Sequence, residues 1–345
     1  MKRTLLFASL LAGAALAAAS PNSDMKAVLD KLASMNPKPL PQLTAAEARK
    51  GPTPADAVKA LLEARGKSIE PEPVAKVQDL QISGAEGQIP ARIYTPEGKG
   101  PMPVVVYFHG GGWVIANTDV YDSSPRALAN LAKAIVVSVD YRQAPEHKFP
   151  AAHEDAFAAW QWALKNASSF GGDPARVAVA GESAGGNLAA AVSLMARDRK
   201  AQMPVAELLV YPIAGYDFET PSYEENATAK PLDKAGMQWF YQQYLNTPKD
   251  AQDPRISLVK ADLHGLPPTT LITAQIDPLR SEGQLLATNL EKAGVKVESK
   301  NYDGVTHEFF GMGAVVAEAK DAEQFGAGGL KKAFAKQKPM GRRAP

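Results

Sequence analysis

The sequence predicts an α/β protein whose mostly parallel, doubly wound sheet carries helices on both faces. From residue 103 onward, apolar runs of strand length alternate with helical patterns. The first of these runs, PVVVYF, contains no polar residue, which is typical of a parallel strand that helices cover on both faces. Strands that alternate with helices at this spacing form right-handed βαβ units, and such units build a doubly wound sheet.

The individual elements can be assigned in chain order. Two segments with period-two alternation, 75–83 and 87–96, are joined by the turn GAEG and predict an antiparallel hairpin. Buried strands are then predicted, in order, at 103–108, 134–141, 176–181, 206–212, 268–279 and 296–304. Helices are predicted between these strands at 123–134, 153–166, 187–198 and 281–294.

Helical segments also precede the hairpin and interrupt the later alternation. Patterns at 25–35, 44–51 and 53–66 predict short helices that lie across the domain. The segment 215–257 is polar at first and then helical, with clustered aromatic residues that include Trp239. We interpret it as a cap over the carboxyl ends of the strands, because an isolated loop should not display so much apolar surface. The alternative is a surface excursion that packs a small core of its own.

The N-terminal segment has the pattern of a secretory signal peptide. Lys2 and Arg3 are followed by an apolar run over 5–16 and by small residues suited to cleavage after Ala17 or Ala19. The run is too short and too rich in alanine for a convincing transmembrane span. We therefore expect a soluble mature protein, periplasmic or secreted, without a stable membrane anchor.

Composition and charge exclude several classes of site. A formal net charge of +1 argues against a nucleic-acid partner, which normally requires a basic face. The absence of cysteine excludes disulfides, thiolate metal sites and a cysteine nucleophile. The five histidines show no HxH or HExxH spacing, so no metal site is expected. Basic residues near the C-terminus are interpreted as a solvated, frayed tail: Lys331, Lys332, Lys336, Lys338, Arg342 and Arg343.

The stretch GESAGG, which joins a predicted strand to a predicted helix, suggests a nucleophilic serine. Either its glycines merely form a tight turn, or the turn holds Ser183 out of the backbone in a nucleophile elbow. Such an elbow is strained and needs small neighbours two residues away, which Gly181 and Gly185 supply. The following helix would direct its dipole and the free N–H of Ala184 toward the site.

A serine nucleophile requires a base and an orienting carboxylate, which in this architecture follow in the order acid and then histidine. We predict His307 as the base, because His264 precedes the best acid-bearing strand end. Asp277 is predicted as the acid, since it ends the buried strand TTLITAQI at the edge where ligands bind in open α/β sheets. Asp303 is its competitor, but the surrounding YDGVT explains it as a turn residue.

The glycine run in FHGGGW is the candidate oxyanion loop. It directly follows the strand PVVVYF, and successive glycines let backbone N–H groups approach a substrate oxygen without a Cβ in the way. Together with Ala184 these donors would stabilise a tetrahedral oxyanion. A flexible glycine turn is the alternative. His109 is expected to brace this loop by hydrogen bonding and not to act as the general base.

Five motifs together resemble the bacterial hormone-sensitive-lipase-like carboxylesterases. They are HGGGW, DYRQAPEHKFPAA, GESAGGN, DPLRSEG and GVTHEFF, and the resemblance extends from about Leu32 to Leu330. It implies an α/β-hydrolase fold with a helical cap that the N-terminal helices and the insertion form together. It also implies a triad of Ser183, Asp277 and His307. The oxyanion hole that it implies is made by Gly111, Gly112 and Ala184.

Two positions depart from the family pattern. Glu182 and Ser281 stand where these enzymes usually have aspartate, and we expect both to change loop bracing and pH behaviour. Glu282 either braces the loop or starts the next helix. Neither departure removes a member of the triad.

The sequence thus predicts a serine carboxylesterase for short- to medium-chain acyl esters, which acts through an acyl-enzyme on a small-molecule ester without metal or organic cofactor. A lipase, lactonase or amidase with the same triad, and a non-catalytic ligand-binding relative, remain alternatives, and a homodimer is compatible with the sequence. The predicted domains are a signal peptide (1–19), cap helices (20–70), a catalytic domain (71–335) with its insertion at about 215–257, and a flexible basic tail (336–345).

Overall fold

The computed structural model of the chain describes residues 19–337. The predicted signal peptide lies outside the described residues apart from Ala19, and so do the tail residues after Gln337. Within residues 19–337, no helix combines the length and apolarity needed to cross a membrane.

One sheet organises the described residues. Its strands are β1 (Lys76–Ser83), β2 (Gln88–Thr95), β3 (Met102–Phe108), β4 (Ile135–Val139), β5 (Gly172–Glu182), β6 (Glu207–Val210), β7 (Thr269–Ile276) and β8 (Val297–Thr306). Their order across the sheet is β1-β2-β4-β3-β5-β6-β7-β8. The hairpin β1–β2 is antiparallel and β2 pairs antiparallel with β4, whereas the other neighbours are parallel. The predicted fold class is confirmed.

Helices cover both faces of this sheet. They are α1 (Ser23–Ser34), α2 (Ala45–Ala48), α3 (Pro54–Ala64), α4 (Ser123–Ala132), α5 (Ala151–Asn166), α6 (Ala184–Asp198), α7 (Pro221–Glu225), α8 (Lys234–Tyr244), α9 (Arg280–Lys292) and α10 (Ala317–Lys336). One apolar core includes residues of α5, α6, α8 and α9, and a second includes residues of α1, α3, α4 and α10. The sheet therefore has no water-exposed face along its central strands.

Strand β3 shows why its sequence is uninterruptedly apolar. Val104, Val106 and Phe108 point into the first core, and Val105 and Tyr107 point into the second. All five are essentially inaccessible to solvent. Each such side chain contributes about 1.5–3 kcal/mol by leaving water. The chain leaves β3 for β4 on one side and then crosses to β5 on the other, which creates the crevice where open α/β sheets bind ligands.

The interpretation of the C-terminal lysines as a frayed tail is wrong for those that the structure describes. Lys331, Lys332 and Lys336 belong to α10, which continues through Lys336, one residue past the predicted end of the catalytic domain at 335. The helix is held because its other face buries Leu330 and other apolar residues in the second core. Its exposed face carries the lysines, and Lys332 donates a hydrogen bond to Glu298 at 2.6 Å.

The N-terminal helices and the insertion contact each other. The Trp239 indole of α8 donates a hydrogen bond to the Leu43 carbonyl at 3.1 Å. Helix α1 is attached elsewhere, because the N–H of Asn22, which precedes the helix, donates to the Gly304 carbonyl in β8. The segment 215–257 lies between β6 and β7 and contains α7 and α8, as expected for an insertion. The domain boundaries themselves stay a prediction.

Candidate active site

Ser183 occupies a strained turn between β5 and α6. Its backbone has φ +56° and ψ −117°, a conformation that non-glycine residues rarely adopt and that costs about 1–3 kcal/mol. Its N–H donates to the Val210 carbonyl at 2.9 Å. The turn also requires close backbone approach, since a Cβ on Gly185 would lie 1.9 Å from the Phe108 carbonyl oxygen. The local geometry is that of a nucleophile elbow.

The structure brings the three predicted triad residues together. His307 Nε2 lies 2.9 Å from Ser183 Oγ, and His307 Nδ1 lies 2.7 Å from Asp277 Oδ2. The second oxygen of Asp277 accepts the Leu279 N–H at 2.8 Å, which fixes the carboxylate. All three side chains are buried. With Nδ1–H donating to Asp277, Nε2 is left as the acceptor of the serine proton.

Strand ends explain how residues so far apart in the chain meet. Ser183 follows β5, Asp277 follows β7 and His307 follows β8, so all three lie at the carboxyl edge of the sheet. The competitor Asp303 lies within β8, and not in a turn as the sequence suggested, and it accepts a hydrogen bond from Asn301. Its side chain plays no part in the contacts of His307.

Charge around the imidazole sets its basicity. Burial alone would lower the pKa of His307. The negative charge and hydrogen bond of Asp277 act in the opposite direction, followed by the charges of Glu308 and Glu182, and the net result is a raised pKa. The site therefore stabilises the imidazolium that forms when the base takes a proton.

The predicted oxyanion loop follows β3 and lies against the elbow. Gly111 and Gly112 have φ values of +94° and +59°. A Cβ on Gly112 would lie 2.2 Å from the ring of Phe240, so the cap helix α8 packs directly onto this glycine. Ala184 is the first residue of α6, where backbone N–H groups have no partner within the helix. The loop and the helix thus offer donors close to the serine.

His109 makes the contacts of a loop brace. Its Nδ1 lies 2.7 Å from the Gly110 carbonyl, and its ring stacks on Tyr141 with centroids 4.5 Å apart. The Tyr141 hydroxyl donates to the His109 carbonyl at 2.8 Å. Burial lowers the pKa of His109. These contacts agree with the expectation that it supports the loop.

A buried aromatic cluster joins this loop to the cap and to the elbow helix. Trp113 stacks on Tyr244 of α8 with centroids 4.4 Å apart. The Tyr244 hydroxyl lies 2.7 Å from His153 Nδ1, and His153 Nε2 lies 2.9 Å from the Asn187 side-chain oxygen in α6. Burial lowers the pKa of His153 to about 4, so this histidine is neutral near pH 7. The insertion is therefore anchored to the catalytic framework.

The two departures from the family pattern have structural partners. Glu182 is buried and accepts hydrogen bonds from the hydroxyls of Tyr107 and Tyr211. Burial raises the pKa of Glu182 to about 7. Ser281 exchanges two hydrogen bonds with Ser222 of α7, at 3.1 and 3.0 Å, and so ties the start of α9 to the insertion.

Glu282 combines both roles that the sequence left open. It lies in the first turn of α9, and its Oε1 accepts the N–H groups of Ala214 and Gly215 at 2.7 and 3.3 Å. These contacts hold the loop that follows β6. Burial raises the pKa of Glu282 to about 8.

Glu308, the residue after His307, also lies at the site, although no specific role was predicted for it. Its φ is +71°, and its Oε1 lies 3.7 Å from His307 Nε2. Its Oε2 accepts a hydrogen bond from the Tyr121 hydroxyl at 2.6 Å. Adjacency to His307 in GVTHEFF was the available signal, but the direction of the side chain could not be obtained from the sequence.

A cavity of about 640 Å³ opens beside Glu182 and Glu308. Its walls come from α3, from the segment 67–72, from α4 and the loop before it, from the segment 311–314 and from the first turns of α10. Glu182 and Glu308 lie in its wall, close to the triad. Its size suits a small organic ligand. Among residues 19–337, no group of three or more histidines and carboxylates could hold a metal ion.

Comparisons with known proteins agree with this geometry. Residues 105–311 match a family model described as alpha/beta hydrolase fold. The chain is 41% identical over 269 residues to carboxylesterase NlhH of Mycobacterium tuberculosis, covering 76% of this chain and 84% of that one. It is 35% identical over 262 residues to an ethyl acetate hydrolase of Pseudomonas putida, covering 74% and 81%. A hyperthermophilic esterase from the archaeon Pyrobaculum calidifontis superposes with a TM-score of 0.82 at 38% identity, covering 91% and 98%.

Proposed function

This chain belongs to the hormone-sensitive-lipase-like carboxylesterases of the α/β-hydrolase superfamily, and we propose that it hydrolyses short- to medium-chain acyl esters through an acyl-enzyme on Ser183. The observation that carries the proposal is the pair of contacts of His307. One imidazole nitrogen lies 2.9 Å from Ser183 Oγ and the other lies 2.7 Å from Asp277 Oδ2. This is the arrangement that converts a serine hydroxyl into a nucleophile.

In the first half of the reaction, Ser183 Oγ attacks the ester carbonyl carbon while His307 Nε2 takes its proton. Asp277 keeps the other proton on Nδ1 and stabilises the imidazolium. The N–H groups of Gly111, Gly112 and Ala184 would donate to the oxyanion, where a single donor is worth about 2.7–4 kcal/mol of barrier. When the carbonyl re-forms, the bond to the alkoxide breaks and His307 passes its proton to the leaving alcohol.

In the second half, water replaces the alcohol. His307 removes a proton from the water as its oxygen attacks the acyl carbon, and the same oxyanion donors act again. Collapse of this intermediate returns the proton to Ser183 Oγ and releases the carboxylic acid. Every proton transfer in the cycle uses His307 Nε2.

The cavity supports small substrates. Its volume of about 640 Å³ is large enough for part of an ester of short or medium chain length, and Glu308, the residue after His307, lines its wall. The names of the relatives, carboxylesterase NlhH and ethyl acetate hydrolase, agree with this substrate class. The pattern of residues 1–19 supports action after export, in the periplasm or outside the cell.

Hydrolysis of p-nitrophenyl esters of increasing acyl length by the mature protein tests the proposal. We expect the highest kcat/KM at short to medium chains, and a loss of more than about 10⁴-fold in kcat in the Ser183→Ala variant. Ser168→Ala is the matched control, because this serine is exposed in the turn before β5. Activity that survives in Ser183→Ala would contradict the assignment. A maximum at long chains, or with lactones or amides, would instead favour a lipase, a lactonase or an amidase.

A further inference from the structure

The carboxylate of Glu308 lies near the triad, and the proposed reaction does not use it. Its backbone adopts φ +71°, a conformation that glycine would occupy at lower cost. The carboxylate faces the 640 Å³ cavity. Strained residues at functional sites persist when the surrounding structure imposes the conformation, and here the Tyr121 hydroxyl holds Oε2 at 2.6 Å.

Glu308 lies close to the nitrogen that would protonate the leaving alcohol. His307 Nε2 must come within about 3 Å of the ester oxygen to protonate it. Glu308 Oε1 is 3.7 Å from the same nitrogen. The carboxylate is therefore within about 7 Å of the leaving oxygen, a distance that an alcohol of two or three carbons with a charged end can span.

The second oxygen of this carboxylate, Oε1, has no lysine or arginine as a partner. Among the described residues, no lysine or arginine lies within 4.0 Å of Glu308. Four basic residues line the cavity, Lys59, Lys67, Arg126 and Lys320, and Arg126 pairs with Asp122. None of the four lies within 4.0 Å of the Glu308 carboxylate. The side chain of Glu308 is 20% exposed, so a ligand in the cavity can reach it.

The geometry points to Glu308 as a specificity-determining residue that selects esters whose alcohol carries a cationic group. This inference rests on the proposed function, because it uses His307 as the group that protonates the leaving alcohol. A cation next to a partly buried carboxylate gains Coulomb energy that a neutral group of the same shape does not. The neutral acyl chain would occupy the other side of the scissile bond.

Two butyrate esters of the same shape test the inference. Butyrylcholine carries a trimethylammonium group, and dimethylbutyl butyrate has a neutral tert-butyl group in its place. Proton release is followed in a pH-stat near pH 8, and the readout is the ratio of kcat/KM for the cationic ester to that for the neutral ester. We expect a ratio above one in the wild type and a fall of about tenfold in Glu308→Gln.

Two further variants complete the design. Glu308→Gly removes the carboxylate and relieves the positive φ, so it should lose the same selectivity while the protein stays folded. Glu70→Gln changes an exposed carboxylate of the same cavity wall and should leave the ratio unchanged, because water screens its charge.

Three outcomes would overturn the inference. The ratio in the wild type could be one or less, or it could stay the same in Glu308→Gln. Both esters could also slow equally in that variant, which would make Glu308 a residue that positions His307. In these cases Ser183-dependent hydrolysis of the neutral ester still upholds the proposed function. If folded wild-type protein hydrolyses neither these esters nor p-nitrophenyl butyrate, both proposals fail.

Discussion

At the scale of single residues, the imidazole of His307 is surrounded by more negative charge than a triad requires. Asp277 is its hydrogen-bonded partner, Glu308 Oε1 lies 3.7 Å from Nε2, and the buried Glu182 also acts on it. Burial opposes these charges, but together they raise the pKa of His307. The base is neutral only above its pKa, so the surrounding carboxylates shift the onset of activity to higher pH.

Glu308→Gln should therefore move the acid limb of the profile of kcat/KM against pH to lower pH. Removing one negative charge disfavours the imidazolium and therefore lowers the pKa of His307. The profile is measured with a neutral p-nitrophenyl ester, and Glu70→Gln is the control. An acid limb that does not move, or that moves to higher pH, would contradict the prediction.

At the scale of elements, the site depends on how closely β3, β5 and α6 approach. Gly185 at the start of α6 has no room for a Cβ, because the Phe108 carbonyl at the end of β3 is in the way. The atoms nearest to such a Cβ all belong to the backbone, so no side-chain movement can relieve the clash. The same approach brings the oxyanion loop beside the nucleophile.

Gly185→Ala should accordingly destabilise the fold by about 1–3 kcal/mol, the cost of overpacking a core, and reduce esterase activity. Gly328→Ala is the matched control, because a Cβ at this position of α10 meets no atom within 4 Å. That change should stabilise the protein by about 0.5–1 kcal/mol, since alanine favours the helix over glycine. Chemical denaturation measures both. Equal stability of the two variants would argue against the close approach.

At the scale of the whole molecule, several buried carboxyls have no cation as partner. Glu182, Glu207 and Glu282 accept hydrogen bonds only from hydroxyl or backbone N–H groups. Burial raises their pKa values to about 7, 7 and 8. The folded chain therefore keeps protons that the unfolded chain releases above its ordinary carboxyl pKa of about 4.5. Where the folded state binds more protons, stability falls as pH rises.

The free energy of unfolding should thus decline between about pH 5 and pH 8. Glu207 is suited to test this, since it lies between Ser193 and Thr269 and away from the triad. In Glu207→Gln the decline should be smaller by roughly 2 kcal/mol, because one group that binds a proton only in the folded state is gone. Glu97→Gln, at an exposed loop position, is the control. A decline of unchanged size in Glu207→Gln would refute the explanation.

Local patterns were sufficient for most of the fold and for the members of the triad. The strands and helices of the sheet appear close to their predicted positions, because apolar periodicity records which faces are buried. Helix α10 was missed, since its apolar residues are separated by lysines and glycines that resemble a tail. Asp277 was preferred over Asp303 for a sound reason, its place at a strand end, although the turn assigned to Asp303 does not exist.

By itself the sequence determined the fold class, the order of the elements and the residues of the candidate site, because these depend on periodicity and on short motifs. Only the tertiary structure decided what lies beside those motifs. The Tyr121 hydroxyl meets Glu308 across 187 positions of the chain, and Trp239 meets Leu43 across 196. Such contacts depend on how packed elements orient side chains in space, and no local pattern encodes that orientation.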